Sequence, residues 1–176
     1  MLWFKRVIGA IVALVVILAV VGFLLPASYT VERSIVVQAP PERIYPLVAA
    51  PRAWQRWSVW TQRDPAMKIV YTGPDSGAGA GWSWDSKTEG QGRMTFTKAD
   101  PATGLGYDLY FPDVDATSHG EMRFSPEAGG TRITWTNLGD MGRNPLMHYM
   151  ALMMDRFVGP DFAKGLANLK ALAEKP

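Results

Sequence analysis

The sequence contains no cysteine and only two histidines, His119 and His148. The absence of cysteine excludes disulfides, a thiolate nucleophile and thiolate metal sites. Neither histidine has an Asp or Glu companion at metal-ligand spacing, so we expect no metal site, and no motif predicts a cofactor. The fold must therefore be stabilised by packing, and roughly 150 residues can bury a core of sufficient size.

The chain beyond residue 26 also lacks an excess of charge of either sign. Of the 18 Lys and Arg, only Lys5 and Arg6 lie before that point, whereas all 16 Asp and Glu follow it, so the remainder has no net charge. Binding of nucleic acid requires a basic surface for the phosphates. We therefore expect no nucleic acid partner.

Charge is absent altogether from residues 7–25. As a helix rising about 1.5 Å per residue, this run covers roughly 28 Å, enough to cross a bilayer. We predict an N-terminal membrane anchor over residues 1–26, with a transmembrane helix over about 7–25, followed by one domain over 27–176. Lys5 and Arg6 before the run predict a single-pass protein with a cytoplasmic N-terminus and an external domain. A cleaved signal peptide is the alternative.

The rest of the chain predicts an α+β domain. Residues 29–38 alternate like a strand, and prolines at 40 and 51 open two short helices. About six strands then follow, each with one polar face and joined by turns short enough for antiparallel neighbours. The apolar spacing becomes helical from Pro145. We expect a curved antiparallel sheet wrapped around this long C-terminal helix.

Three of the seven tryptophans, Trp54, Trp57 and Trp60, are spaced three residues apart in the second short helix. That spacing places neighbouring indoles on one helix face. We predict that Trp54 and Trp57 belong to the core, since burial of an indole contributes several kcal/mol. For Trp60 we predict a position at the rim of a cavity.

Three stretches stand out together: VERSIVVQAPPERIYPLVAAPRAWQRWSVW, GAGWSW followed by GQGRMTF, and VGPDFAKGLANLKALAE near the end. With them the sequence resembles the START-like, or helix-grip, SRPBCC superfamily, which includes polyketide cyclase/dehydrase and lipid-transport proteins. The resemblance extends from about residue 29 to residue 175. It implies an apolar cavity between the sheet and the C-terminal helix, and it implies no shared catalytic set.

Strand alternation and the methionine-rich helix identify candidates for the wall of this cavity. Methionine adapts to irregular apolar ligands, and a few polar groups such as Tyr107 and Asn137 suffice to orient one. The candidates are Trp60, Trp82, Trp84, Tyr107, Phe111, Met122, Phe124, Trp135, Asn137, Met150, Met154 and Phe157. A filled core is the alternative interpretation of the same pattern.

A catalytic set is harder to identify. His119 with Asp108 or Glu121 has the chemistry of a general acid or base, but strand alternation places His119 on the polar face. Gly77, Gly79 and Gly81 precede a strand rather than a helix, which argues against a dinucleotide fingerprint.

The expected function is a membrane-tethered module that binds a hydrophobic or amphiphilic small molecule or lipid. Two alternatives stay open: a polyketide cyclase/dehydratase-like enzyme, and a non-catalytic domain with a partner-binding or structural role.

Overall fold

The computed structural model describes residues 2–175. One long helix, α1 (Leu2–Leu24), precedes the domain, and another, α5 (Pro145–Ala173), ends the described chain. The elements between them are β1 (Ser28–Val37), α2 (Pro41–Ala49), α3 (Pro51–Trp54), α4 (Val59–Arg63), β2 (Lys68–Thr72), β3 (Gly81–Ser86), β4 (Gly90–Asp100), β5 (Gly104–Phe111), β6 (Ala116–Glu127) and β7 (Gly130–Asp140).

The seven strands form one antiparallel sheet in the order β1-β7-β6-β5-β4-β3-β2. Strands β2 to β7 form a meander, because each pairs with the next along the chain, and β1 is added beside β7. The edges are therefore β1 and the five-residue β2. The predicted α+β helix-grip fold, with a curved antiparallel sheet against a long C-terminal helix, is confirmed.

Alternation along the strands produces the core. In β7 the buried residues are Thr131, Ile133, Trp135 and Asn137, and the residues between them are more exposed. Side chains two apart share one face of a strand, so this face turns to the interior. Helix α5 covers it with buried apolar side chains, namely Phe162, Leu166 and Leu169.

Three short helices, α2, α3 and α4, lie between β1 and β2, not the predicted two. The second one ends early because Ser58 adopts an extended backbone (φ −64°, ψ 131°), which separates α3 from α4 and leaves Trp57 in the turn between them. Trp54 and Trp57 are buried as predicted. The Trp54 Nε1–H donates to the Val48 carbonyl at 2.7 Å and the Trp57 Nε1–H to the Leu47 carbonyl at 2.9 Å, which fixes this segment on α2.

Helix α1 begins at residue 2, before the predicted start at residue 7, because the residues ahead of the uncharged run continue the helix. Nearly all of its side chains are exposed. Its segment Trp3–Leu24 has the length and composition of a membrane span or of a signal sequence.

Strand pairing brings four chain segments to one end of the sheet, which we call the α1 end. Tyr29 pairs with Gly139, Gly139 with Ser118, and Ser118 with Leu109. Helix α1 leads into β1 through residues 25–27 alone, so it joins the domain at this end.

Helix α5 runs away from the α1 end alongside β1 and contacts the backbone of this edge strand. Near its far end, the Lys170 Nζ donates to the Val36 carbonyl at 2.8 Å. The Glu174 carboxylate accepts from the Gln38 N–H at 2.6 Å. Both contacts are charge-assisted hydrogen bonds to a strand that has no partner strand on this side.

Candidate functional site

A cavity of about 270 Å³ lies between the sheet, α5 and the short helices α3 and α4. Tyr29, Phe111 and Ser118 contribute to its wall at the α1 end of the sheet. Residues from six strands, β1 and β3 to β7, form its floor, and one side of α5 forms its cover. The complete lining is Tyr29, Trp54, Gln55, Ser58, Trp60, Thr61, Met67, Trp82, Trp84, Glu89, Met94, Tyr107, Leu109, Phe111, Ser118, Trp135, Asn137, Met154, Val158 and Phe162.

Trp135 lies at the centre of an aromatic wall. Its ring stacks on Phe162 of α5 with centroids 3.9 Å apart and planes 10° from parallel. The rings of Trp54 and Trp60 meet it edge to face at 5.7 and 6.0 Å. Such pairs contribute about 0.5–1.5 kcal/mol each beyond burial, so this wall is a rigid part of the cavity.

The polar groups deepest in the wall largely satisfy one another. The Trp135 Nε1–H donates to the Tyr107 hydroxyl at 2.7 Å, and the Asn137 Nδ2–H donates to the Ser118 hydroxyl at 3.3 Å. Burial raises the pKa of Tyr107 well above its ordinary value, so this hydroxyl is neutral at physiological pH. Tyr107 and Trp135 therefore present to the cavity a neutral surface whose polar groups are already hydrogen-bonded to each other.

The Gln55 side chain differs from these groups. Its Nε2 is buried and has no hydrogen-bond partner within residues 2–175, although the residue lines the cavity. A buried donor without a partner destabilises a protein by about 1–3 kcal/mol. The Gln55 amide is thus available to bind an acceptor oxygen.

Arg63 links three elements around the cavity. Its guanidinium lies 3.2 Å from the Glu89 carboxylate, which is part of the wall, and 2.6 Å from Asp161 on α5. Hydrogen bonding to Asp161 is the main cause of the raised pKa of Arg63. These bonds hold α4, which carries Trp60, against the turn between β3 and β4 and against α5.

Eight of the twelve residues predicted for the cavity are brought together there: Trp60, Trp82, Trp84, Tyr107, Phe111, Trp135, Asn137 and Met154. Trp60 is partly exposed to solvent. The other four lie elsewhere. Met122 and Phe124 point inward but are packed in the solid core, because alternation predicts the face of a strand and not the position along it.

The apolar stripe of α5 predicts Met150 and Phe157 in the wall, and this prediction is wrong. Met150 is 41% exposed and Phe157 is 54% exposed. The cavity-facing positions are Met154, Val158 and Phe162, four residues apart. The stripe is broader than the part of α5 that the sheet covers.

Sequence reasoning missed twelve lining residues. Met94, Leu109 and Phe162 carried a usable signal, since each belongs to an inward pattern. Met67 and Glu89 lie in turns, where no periodicity predicts the direction of a side chain.

His119 lies outside the cavity. Its Nδ1 is 2.6 Å from the Asp108 carboxylate, and its side chain is 68% exposed. No group of three or more His, Asp or Glu side chains within residues 2–175 is arranged to hold a metal ion.

Comparison with known structures shows the same fold in several proteins. The chain aligns with a Chromobacterium violaceum protein at 17% identity and a TM-score of 0.62, covering 84% of this chain and 99% of that one. For a Thermobifida fusca protein the values are 21%, 0.62, 82% and 92%. For StfQ, a di-domain ARO/CYC protein from the steffimycin biosynthetic pathway, they are 14%, 0.65, 84% and 52%.

A search of curated proteins found no match. The family model described as "Polyketide cyclase / dehydrase and lipid transport" matches residues 28–174, which include every strand and every residue that lines the cavity. The chain therefore belongs to the polyketide cyclase/dehydrase and lipid transport family.

Proposed function

We propose that this protein is a membrane-tethered module that binds a hydrophobic or amphiphilic small molecule between its sheet and α5. The observation that carries the proposal is the cavity itself. Fourteen of its twenty lining residues are aliphatic, methionine or aromatic. Ligand pockets are typically lined in this way, with a small number of polar groups that orient the ligand.

The size of the cavity limits the ligand. Pockets for drug-sized molecules measure about 300–1,000 Å³, so a cavity of about 270 Å³ suits a small molecule or a single chain of a larger one. The unpaired amide of Gln55 favours a ligand with an acceptor oxygen, such as a carbonyl or hydroxyl group. No charged group stands in the aromatic part of the wall, which favours an uncharged ligand body.

In this proposal α1 is a transmembrane helix, with Lys5 and Arg6 on the cytoplasmic side and the domain on the other side. Its length and apolar composition support the span, and the two basic residues before it support the orientation. The linker of residues 25–27 reaches about 10 Å at most, which holds the cavity close to the bilayer. Confinement of this kind raises the effective concentration of a membrane-borne ligand without any new contact.

The test is native mass spectrometry of the full-length protein released from detergent micelles, together with titration by an apolar fluorescent probe. We expect a copurified small molecule or saturable binding of the probe. Leu109→Trp, which adds bulk inside the wall, should abolish binding, and Val70→Trp on the exposed edge strand should leave it unchanged. Equal binding by both variants would contradict the proposal.

An enzyme of the cyclase or dehydratase kind is the second candidate, favoured by one observation. The Glu89 carboxylate lines the cavity beside Arg63 and is a candidate general acid or base. If the protein is such an enzyme, Glu89→Gln should stop turnover of a bound ligand and preserve its binding. Unchanged turnover would exclude Glu89 from catalysis.

A further inference from the structure

The first turns of α5 lie against the last turns of α1. The Tyr149 hydroxyl donates to the Leu18 carbonyl at 2.9 Å, and the His148 Nδ1 lies 2.8 Å from the Gly22 carbonyl. Gly22 permits this approach, because a Cβ at that position would overlap the Pro145 backbone. The beginning of α5 is therefore held beside the end of α1, although the two helices lie at opposite ends of the described chain.

These contacts determine how far α5 extends along α1. Leu18 lies six residues before the end of α1 at Leu24, which corresponds to about 9 Å at the helical rise. If α1 crosses the bilayer, as the proposed function requires, the Tyr149 hydroxyl lies about 9 Å inside the domain-facing end of the span. That depth is within the hydrocarbon region, where a hydroxyl needs a hydrogen-bond partner from the protein, and the Leu18 carbonyl provides it.

The surface of α5 at this depth has the chemistry of a membrane contact. Residues 145–154 contain no Asp, Glu, Lys or Arg, and the first charge is Asp155. Leu146, Met147, Met150 and Leu152 are 38–54% exposed. In water these side chains would form an unfavourable apolar patch, whereas beside a transmembrane helix they meet lipid.

Exposed apolar side chains are concentrated in this region. Eight large ones are exposed in the described chain after residue 24, and five of them lie on α5 between residues 146 and 157. Two more, Val114 and Leu138, belong to the α1 end of the sheet. Only Val70, on the edge strand β2, lies apart from them.

We propose that residues 145–154 of α5 are embedded in the bilayer leaflet that holds the end of α1, and that the cavity takes up a membrane-dissolved amphiphile directly from that leaflet. Met154 and Val158 continue the same helix into the cavity wall. Tyr29, Phe111 and Ser118 place part of the cavity wall at the same end of the sheet. A ligand entering from the leaflet would not have to cross water.

The absence of cysteine allows a direct test on the full-length protein in phosphatidylcholine vesicles. Leu146→Cys, Leu152→Cys and the control Val70→Cys would each carry a water-sensitive NBD fluorophore. Nitroxide-labelled phosphatidylcholine should quench the two α5 labels at least threefold more than the control. Equal, weak quenching at all three positions would overturn the proposal.

A second pair of variants tests the role of α1 contact. Gly22→Leu in the Leu146→Cys protein should reduce quenching, because a side chain at residue 22 separates α1 from α5. Gly9→Leu should retain the quenching, since a Cβ at residue 9 meets nothing within 4 Å. Retained quenching in both variants would show that the contact between α1 and α5 at Gly22 is not what holds α5 in the bilayer.

Binding of the apolar probe in micelles separates this inference from the proposed function. Unquenched α5 labels with intact probe binding would overturn the embedding of α5 and leave the binding module in place. Quenched labels without probe binding would support the embedding and contradict the binding module.

Discussion

Gly120 on β6 pairs with Tyr107 on β5, and the Tyr107 ring lies over the glycine. The φ of Gly120 is not positive, so its backbone conformation does not require glycine. A Cβ at this position would overlap the Tyr107 ring, which is buried and cannot swing into solvent. Gly120→Ala must therefore displace the Tyr107 ring, which breaks the hydrogen bond from the Trp135 Nε1–H to the Tyr107 hydroxyl.

Two terms determine the size of the effect. Overpacking of a filled interior costs about 1–3 kcal/mol, and loss of a partner for the buried Trp135 N–H costs about 1–3 kcal/mol. Strand relaxation recovers part of this, so we expect the free energy of unfolding to fall by about 2–4 kcal/mol. For a chain of this size, the melting temperature should fall by roughly 5–15 °C.

The assay is guanidinium unfolding of the full-length protein in micelles, followed by tryptophan fluorescence. Gly106→Ala is the matched control, since it lies on the neighbouring strand and a Cβ there would meet only the flexible side chain of Lys98. We expect this variant to remain within about 1 kcal/mol of the parent protein. Equal loss in both variants, or no loss in Gly120→Ala, would refute the argument from the Tyr107 ring.

Three further results are expected. The free energy of unfolding should fall as pH rises above about 10. Burial raises the pKa of Tyr107 and Tyr29 in the folded state, so the unfolded chain loses those protons first and is favoured at high pH. Equal free energies of unfolding at pH 9 and pH 11 would contradict this. Gln55→Leu should stabilise the empty protein by up to about 1 kcal/mol and weaken, in calorimetric titration, only ligands with an acceptor oxygen. Arg63→Met should change the free energy of unfolding by less than about 1 kcal/mol. It should nevertheless speed the exchange of the bound probe in stopped-flow measurements, because α4 is released from Glu89. Unchanged exchange rates would show that Arg63 does not restrain access to the cavity.

The sequence predicted the sheet and the wall to the extent that periodicity carries the information. Alternation predicted the inward face for Tyr107 and Trp135, hydrophobicity predicted it for Trp82 and Trp84, and all four line the cavity. The three-residue tryptophan spacing identified the segment above it, although the extended Ser58 divides that segment in two.

What periodicity could not provide was position along each element. Phe124 has the inward direction of Tyr107 but lies where the core is filled. Met150 shares the α5 stripe with Met154 but lies beyond the covered region. The contacts of Met67 and Glu89 depend on how turns meet α4, which is a property of the assembled fold.

The two edges of the sheet determine how readily one copy of the domain could pair with another. An exposed edge offers unpaired backbone groups to a neighbouring copy. Strand β2 offers only five residues and begins with Lys68, and the bonds from Lys170 and Glu174 engage the backbone at the far end of β1. If α1 anchors many copies in one membrane, as proposed, neighbouring domains would therefore find few free backbone groups to pair with and should remain unassociated.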